Sequence, residues 1–280
     1  MKRIFTCAMI ALTLAAAGCA RDTSQLVENL ESDNSSARRN ATTKLAIMNK
    51  DPETLQKIAA LLDSDNERTV LIATQILGTS DSTMIKPLTR VLHHPNEYIR
   101  DRAVEAIALI GYLDAAPYVI EALQDSSELV RNTAVKMLGQ IGDSDVLPSL
   151  FSMLRDDADS IRAQAVQSIY MYHDDPTAII NASDFAVAMN DPSDQVRYVA
   201  AQALGAKYND GDIAGELLIE ALGDPNKYVR IKAIQSLATL KYEPAVQPLK
   251  DMYETSTVDE EIEISDAIKQ ISGEDFPLGL

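Results

Sequence analysis

The sequence predicts an all-α fold, a solenoid of about seven helical hairpins, and three observations carry that expectation. First, a unit of 30 to 35 residues recurs, as in "DSSELVRNTAVKMLGQIG" from Asp125, "DDADSIRAQAVQSIYMY" from Asp156, "DPSDQVRYVAAQALG" from Asp191 and "DPNKYVRIKAIQSLATL" from Asp224. Each reads Asp, a short polar turn, a β-branched residue, Arg, two variable positions, Ala, three variable positions, then Leu or Ile. Second, the apolar spacing is helical: Val130, Ala134, Leu138 and Ile141 follow one another at steps of four, four and three, which places them on one helix face. Third, the punctuation fits hairpins. Pro87, Pro117, Pro148 and Pro248 stand near the start of the other helix of a unit, where a missing N–H costs nothing, and Gly78, Gly111 and Gly142 are expected to end helices in a left-handed conformation.

Along the chain, the first element is a leader. Lys2 and Arg3 precede an apolar run, Ile4 to Ala17, that is too short to span a bilayer easily and ends in small residues, so residues 1–18 read as a removable signal peptide. The ending Ala16-Ala17-Gly18-Cys19 resembles the lipobox of bacterial lipoproteins, with Ala16 in place of the more usual Leu. That resemblance implies that Cys19 becomes the first mature residue and carries fatty acyl chains such as palmitate. Acyl chains contribute about 0.8 kcal/mol per buried CH₂, so several hold a protein on a membrane without spanning it. Ala20, not Asp, follows Cys19, and by the same resemblance the expected location is the outer membrane, facing the periplasm.

Maturation changes the chemistry available. Cys7 lies in the leader and Cys19 is acylated, which leaves no thiol for a disulfide, a metal or a nucleophile. Loss of Lys2 and Arg3 takes the formal charge from −17 to −19. Phosphate backbones and anionic headgroups repel such a body, which argues against a nucleic acid partner. Residues 19–23 form a tether of at most about 14 Å. Ser24 is the expected cap of a first helix carrying Leu26, Val27 and Leu30, so the array, residues 24–272, begins at once, and residues 273–280 are a C-terminal tail.

The Arg of the repeat recurs as Arg38, Arg100, Arg131, Arg162, Arg197 and Arg230, with Val70 standing in between the first two. The spacings 32, 30, 31, 31, 35 and 33 define seven units. A hairpin this short cannot bury its own apolar face, so neighbours must stack. The pattern resembles the HEAT-like repeats also found in phycobilisome bilin lyases, which implies a right-handed stack with the second helix of each unit lining a concave surface. Seven units at 8 to 10 Å extend roughly 60 to 70 Å.

The plain role of the repeated polar residues is structural: Asp satisfies open backbone N–H groups at a helix start and Arg bridges neighbouring units. His93 and His94 read as a solvated turn, and with His173 they form no metal-binding spacing. The repeat lengthens in "HDDPTAIINASD" (173–184) and "KYNDGDIAGE" (207–216). Their acids lack the spacing of a calcium loop and read as capping turns, with a kink in the stack. No metal or cofactor is expected, and neither GxSxG nor a glycine-rich phosphate loop occurs.

Two function classes follow. One is a membrane-anchored, non-catalytic scaffold or adaptor of the cell envelope that binds a protein or peptide. The alternative is a lyase-like enzyme or enzyme subunit acting on a bound protein, as the bilin-lyase resemblance implies. Secretion argues against the alternative, because bilin attachment is intracellular. Helical angles locate the binding surface. The second position after the repeated Ala reads Thr43, Gln75, Glu105, Lys136, Gln167, Gln202 and Gln235, and apolar Tyr198, Val199 and Ile231 gather at its C-terminal end. Tyr198, Val199, Gln202, Ile231 and Gln235 are therefore the candidate protein-binding residues, since aromatic and aliphatic groups beside adaptable amides suit a peptide.

Overall fold

A computed structural model describes residues 23–48, 50–206, 208 and 210–276, apart from the side chain of Tyr112. The expected signal peptide, residues 1–18, and Cys19 lie outside the described residues. The chain divides into two compact units, 1–134 and 135–280, the division falling within the helix Glu128–Ile141. Every regular element among the described residues is helical, and no helix there is long and apolar enough to cross a membrane.

In the first unit the paired helices are residues 23–28 with Ser35–Ile47, Pro52–Ala60 with Glu67–Leu77, and Ile85–Thr89 with Glu97–Gly111, followed by Ala116–Glu121 leading into Glu128–Ile141. In the second unit they are Leu147–Ser152 with Asp159–Tyr170, Ala186–Met189 with Asp194–Ala203, Gly211–Glu220 with Lys227–Leu240, and Val246–Tyr253 with Val258–Ser272. The described residues thus hold the seven hairpins marked by the Arg spacing and an eighth, whose second helix lacks that Arg. Within each unit second helices pack on the first helix of their own hairpin and on the second helix of the next, as Glu67–Leu77 does on Pro52–Ala60 and Glu97–Gly111, and Asp194–Ala203 on Ala186–Met189 and Lys227–Leu240. Val70, Ile99, Ala103 and Ile107 line the core of the first unit, and Ile161, Ala165, Ala200, Val229 and Ala233 that of the second, all at most 1% exposed. The periodic apolar face is the buried one.

First helices are short and carry 3₁₀ turns at one or both ends, as in Tyr112–Ala115, Ala116–Glu121 and Ala122–Gln124. In this hairpin a proline accounts for the leading turn. Pro117 has no N–H to give an i→i−4 bond, and the N–H of Ala116 closes a tighter bond to the carbonyl of Leu113. Ser24 is not a cap. It lies inside the first helix and accepts a hydrogen bond from Lys57 at 3.1 Å.

Of the three glycines expected to be left-handed, only Gly142 is, with φ +73°. Gly78 is helical with φ −63°, and Gly111 ends its helix with φ −106°. These two positions require close approach instead. A Cβ on Gly78 would sit 2.8 Å from the Cβ of Ala106, and one on Gly111 would sit 2.6 Å from Cδ1 of Ile85. The same device recurs in the second unit, where Gly139 faces Ser168 and Gly205 faces Ser236, with Ser168 and Ser236 donating to the carbonyls of Val135 and Ala201. Small residues let neighbouring second helices touch backbone to side chain.

The tail closes the last hairpin. Gly273 is left-handed at φ +77°, the carbonyl of Phe276 accepts from Ser265, and the Phe276 ring meets Tyr253 edge-on at 5.0 Å.

Candidate functional site

The repeated Asp and Arg form a ladder offset by one hairpin. Arg100 donates from Nε and Nη2 to both carboxylate oxygens of Asp125, at 2.7 and 2.8 Å. Arg162 does the same to Asp191, and Arg197 to Asp224. The third nitrogen, Nη1, turns back to the arginine's own turn: Arg162 reaches the carbonyls of Asp156 and Asp157 at 2.8 and 3.1 Å. Each Asp in turn accepts the backbone N–H two residues on, from Ser127, Ser193 and Asn226 respectively. Burial pushes these carboxyls up. The arginine and the backbone N–H outweigh it, so Asp125, Asp191 and Asp224 lie below the usual carboxylate range. Hydrogen bonding to the carboxylates raises Arg100, Arg162 and Arg197 further. The ladder consumes these groups in joining hairpins.

Three features of the ladder are not evident from the repeat alone. Arg230 ends it on Glu260, which is 1% exposed and also accepts from Thr257 in a capping box; the spacing Thr257-x-x-Glu260 is its sequence signal. The turn position held by Ser32 and Ser64 in the first two hairpins and by Asp from Asp125 onward is held here by His94, whose Nδ1 accepts the N–H of Asn96 at 3.0 Å, so this residue is a turn acceptor and not merely solvated. Its place matches the gap on the other side, because the preceding helix has Val70 where Arg would stand. Arg and acid are lost together. Arg90 supplies another link there, reaching Asp63 at 2.7 Å and the carbonyl of Ala59.

A groove of about 440 Å³ lies beside this turn, lined by His93, His94, Tyr118 and Glu121 among others. A counterpart of about 280 Å³ involves Arg197, Leu217, Glu220 and Asp224. It is a product of the repeat geometry. Among the described residues, no group of three His, Cys, Asp or Glu side chains is placed to hold a metal ion.

In both lengthened loops acids accept from backbone. Asp175 caps Thr177, Asp184 bonds the N–H of Asn181, and Asp210 accepts from the N–H groups of Ala182 and Ser183 at 2.7 and 3.2 Å. Asp210 thereby ties the second loop to the first, and the Tyr208 ring meets Phe185 at 5.8 Å.

The five candidate binding residues sit on two adjacent helices, Asp194–Ala203 and Lys227–Leu240. Gln202 is exposed, while Tyr198, Ile231 and Gln235 are half-buried. Val199 is a correction: it is 7% exposed and belongs to the core. It stands about 40° around the helix from buried Ala203, at the margin of the outward arc. Lys232 joins the others, its Nζ lying 5.3 Å from the centre of the Tyr198 ring and donating to Gln235 at 2.8 Å. Tyr228, 61% exposed, adds an aromatic ring at an angle that the helical arithmetic also places outward. What gathers here is a surface of tyrosine rings, amides and one lysine that the ladder does not use.

Hairpins of this length, stacked and joined by an offset Arg–Asp ladder, define an α-helical repeat protein. Residues 85–169 and 184–267, more than half of the chain, match HEAT repeats, and the chain belongs to the HEAT-repeat family. No curated protein matches the sequence. Among solved structures, YibA of Escherichia coli is similar over 90% of this chain and 92% of its own, with 20% identity and a TM-score of 0.62. An engineered protein is similar over 89% and 78%, with 17% identity and a TM-score of 0.52. The CpcE–CpcF complex of phycocyanin lyase from Nostoc sp. aligns over 88% and 93%, with 18% identity and a TM-score of 0.44. At these identities the first two likenesses show the repeat fold alone.

Proposed function

We propose that this chain is a membrane-anchored, non-catalytic scaffold or adaptor of the bacterial cell envelope, holding a protein or peptide partner on the outward row of second helices in the unit 135–280. One observation carries the reading: Tyr198, Gln202, Tyr228, Ile231 and Gln235 form an accessible aromatic and amide surface while the repeated Asp and Arg groups beneath it are occupied with one another. Rings and aliphatic groups supply contact area at low entropic cost, and primary amides both donate and accept, as a peptide requires. HEAT repeats present such rows on stacked helices. The sequence around Cys19 supports lipid anchoring at the outer membrane, on the periplasmic side.

The test is Tyr198→Ala combined with Ile231→Glu, compared with the unmodified chain for crosslinked partners in intact cells. Loss of the partner with unchanged helicity and a melting temperature within a few degrees is expected. Normal capture by the double variant rejects this surface.

A further inference from the structure

The second helix of the first hairpin, Ser35–Ile47, leaves one side open. Helical angles measured from buried Ala41 place Lys44, Asn40, Ile47, Ser36, Thr43 and Arg39 within one arc of about 140°, and all six are exposed, Ile47 to 81%. Register explains the exposure. Lys44 stands six residues after Arg38, the position held in later second helices by Ala106, Ser168 and Ser236, which are at most 5% exposed and face Gly78, Gly139 and Gly205 of the hairpin before. Among the described residues no second helix precedes Ser35–Ile47. This helix carries Arg38, Arg39 and Lys44 and no acid. Lys227–Leu240 has the same balance, but Asp259 and Glu260 of the next helix take its Lys227 and Arg230. Arg38 is turned to the carbonyl of Ser32, while Arg39 and Lys44 have no carboxylate partner among the described residues. Acids nearby are placed or engaged elsewhere. Glu28, Glu31 and Asp33 belong to the end of the first helix and the turn, away from Lys44 and Ile47. Asp51 caps Thr54, and Glu53 pairs with Lys57.

We infer that this face lies on the anionic phospholipid headgroups of the leaflet that holds the Cys19 acyl chains, with Arg39 and Lys44 meeting headgroup phosphates and Ile47 reaching the boundary with the acyl chains. The inference rests on the lipid anchoring proposed above and adds the surface by which the anchored chain meets its membrane. Topology supplies the orientation. The helix that begins at Thr23 runs antiparallel to Ser35–Ile47 in one hairpin, so the tether from Cys19 enters at the end that carries Lys44 and Ile47. That tether spans at most about 14 Å, and Arg21 and Asp22 within it cancel in charge. Magnitudes decide the rest. A cation near an anionic leaflet strengthens binding about fivefold, so two of them hold a free chain only weakly. A tether this short makes the contact intramolecular, at an effective concentration on the order of millimolar, where weak attraction suffices. The acidic body is repelled by the same leaflet, but at physiological ionic strength charges beyond about 8 Å are largely screened, and the groups in contact are the cations. An end cap requires only polarity; an apolar Ile47 among cations matches the headgroup boundary, which buries apolar groups and keeps cations at the phosphates.

Fluorescence on the chain expressed in its lipidated form tests this. An environment-sensitive dye is attached at Thr43→Cys, and the protein is reconstituted on phosphatidylglycerol-containing or pure phosphatidylcholine vesicles and floated with them. On phosphatidylglycerol the dye is expected to shift to the blue and to be quenched by headgroup-labelled lipid; on phosphatidylcholine, or in high salt, it is expected to report water. Arg39→Glu/Lys44→Glu in the dye-labelled chain is expected to lower the docked-to-free ratio about fivefold or more for each cation, with helicity unchanged and the chain still floating. Should that variant lose helicity, Arg39→Gln/Lys44→Gln gives the same direction with a smaller loss. A chain that floats on phosphatidylglycerol while its dye reports water overturns the docked face and leaves the anchor standing. A dye shielded before vesicles are added, or equally on both lipids, assigns the face to a second copy or to apolar burial and overturns the inference too. A chain that floats with neither lipid overturns anchor and inference together.

Discussion

Arg162 uses one guanidinium for two tasks, and its energetics follow from that. It makes a two-pronged bond to Asp191 and holds two carbonyls of its own turn, with side chains 12% and 7% exposed. Replacing it by Ala takes both guanidinium bonds from a buried carboxylate and removes the donor to two turn carbonyls, so a loss of about 1 to 3 kcal/mol is expected in denaturant unfolding. The partner carboxyls also predict the acid limb of stability. Asp125, Asp191, Asp224 and Glu260 all lie below their ordinary values when folded. Their contribution is fully present above the unfolded carboxyl range near about pH 4 and is lost as pH falls through the folded values. Melting temperature measured downward from pH 6 should hold until about pH 4 to 5 and then drop. The Arg162→Ala variant should show a shallower drop. A second residue-scale prediction concerns Gly139, where a Cβ would lie 2.8 Å from both the Cβ and the Oγ of Ser168. Gly139→Val should cost about 1 to 3 kcal/mol by overpacking, and Ser168→Ala should recover only part of it, since the Ser168 Cα is 3.0 Å away.

Between hairpins the links are unequal, and hydrogen exchange should reveal it. The junction after Glu67–Leu77 has Val70 and His94 where Arg and Asp stand in the later hairpins, and its substitute, Arg90 with Asp63, is 44% and 63% exposed. Arg38 bonds the carbonyl of Ser32 in its own turn. Exposed ion pairs contribute little, about 0 to 1 kcal/mol. Amides of Ser35–Ile47 and Glu67–Leu77 are therefore expected to exchange faster than those of Asp159–Tyr170 and Asp194–Ala203; equal protection would show that apolar packing alone sets local stability. Much at this scale was legible in the sequence, because a core face repeats every three or four residues and each Asp with an Arg six residues on marks a turn. The contacts that depend on spatial neighbours were not. Nothing local distinguishes Gly78, packed on Ala106, from left-handed Gly142. Val199 looked outward by its helical angle, yet it is core. The bond from Asp210 to Ala182 joins residues 28 apart, in loops whose lengths the repeat does not fix.

For the molecule as a whole, the decisive prediction concerns attachment. On the proposed anchoring, Cys19→Ser removes the acylation site, and the chain is expected to move from the outer-membrane fraction to the soluble periplasm with its helicity and melting temperature unchanged. If the Ser variant fractionates with the membrane as before, the lipid anchor is wrong. The partner-binding test and this one are independent, since the binding row begins more than a hundred residues beyond Cys19. The candidate site was only partly readable in advance: Tyr198, Gln202, Ile231 and Gln235 follow from helical angles, whereas the placing of Lys232 over Tyr198 needs two helices side by side.

The one-hairpin offset of the ladder also bears on how such a chain changes length. Excising residues 163–197 as a block would join Arg162 to Tyr198 in the same helical phase and leave Asp224 as the next acid to meet, so the shortened array would lose one rung without orphaning any arginine. Gain of a block by duplication would work the same way, wherever the cut falls within the period. The paired exception sets the limit. A hairpin moved in front of His94 would bring an arginine up against an imidazole, and one moved behind Val70 would leave its aspartate without a cation. Interchangeable parts in the second half of the chain are thus joined to a first half whose order is fixed.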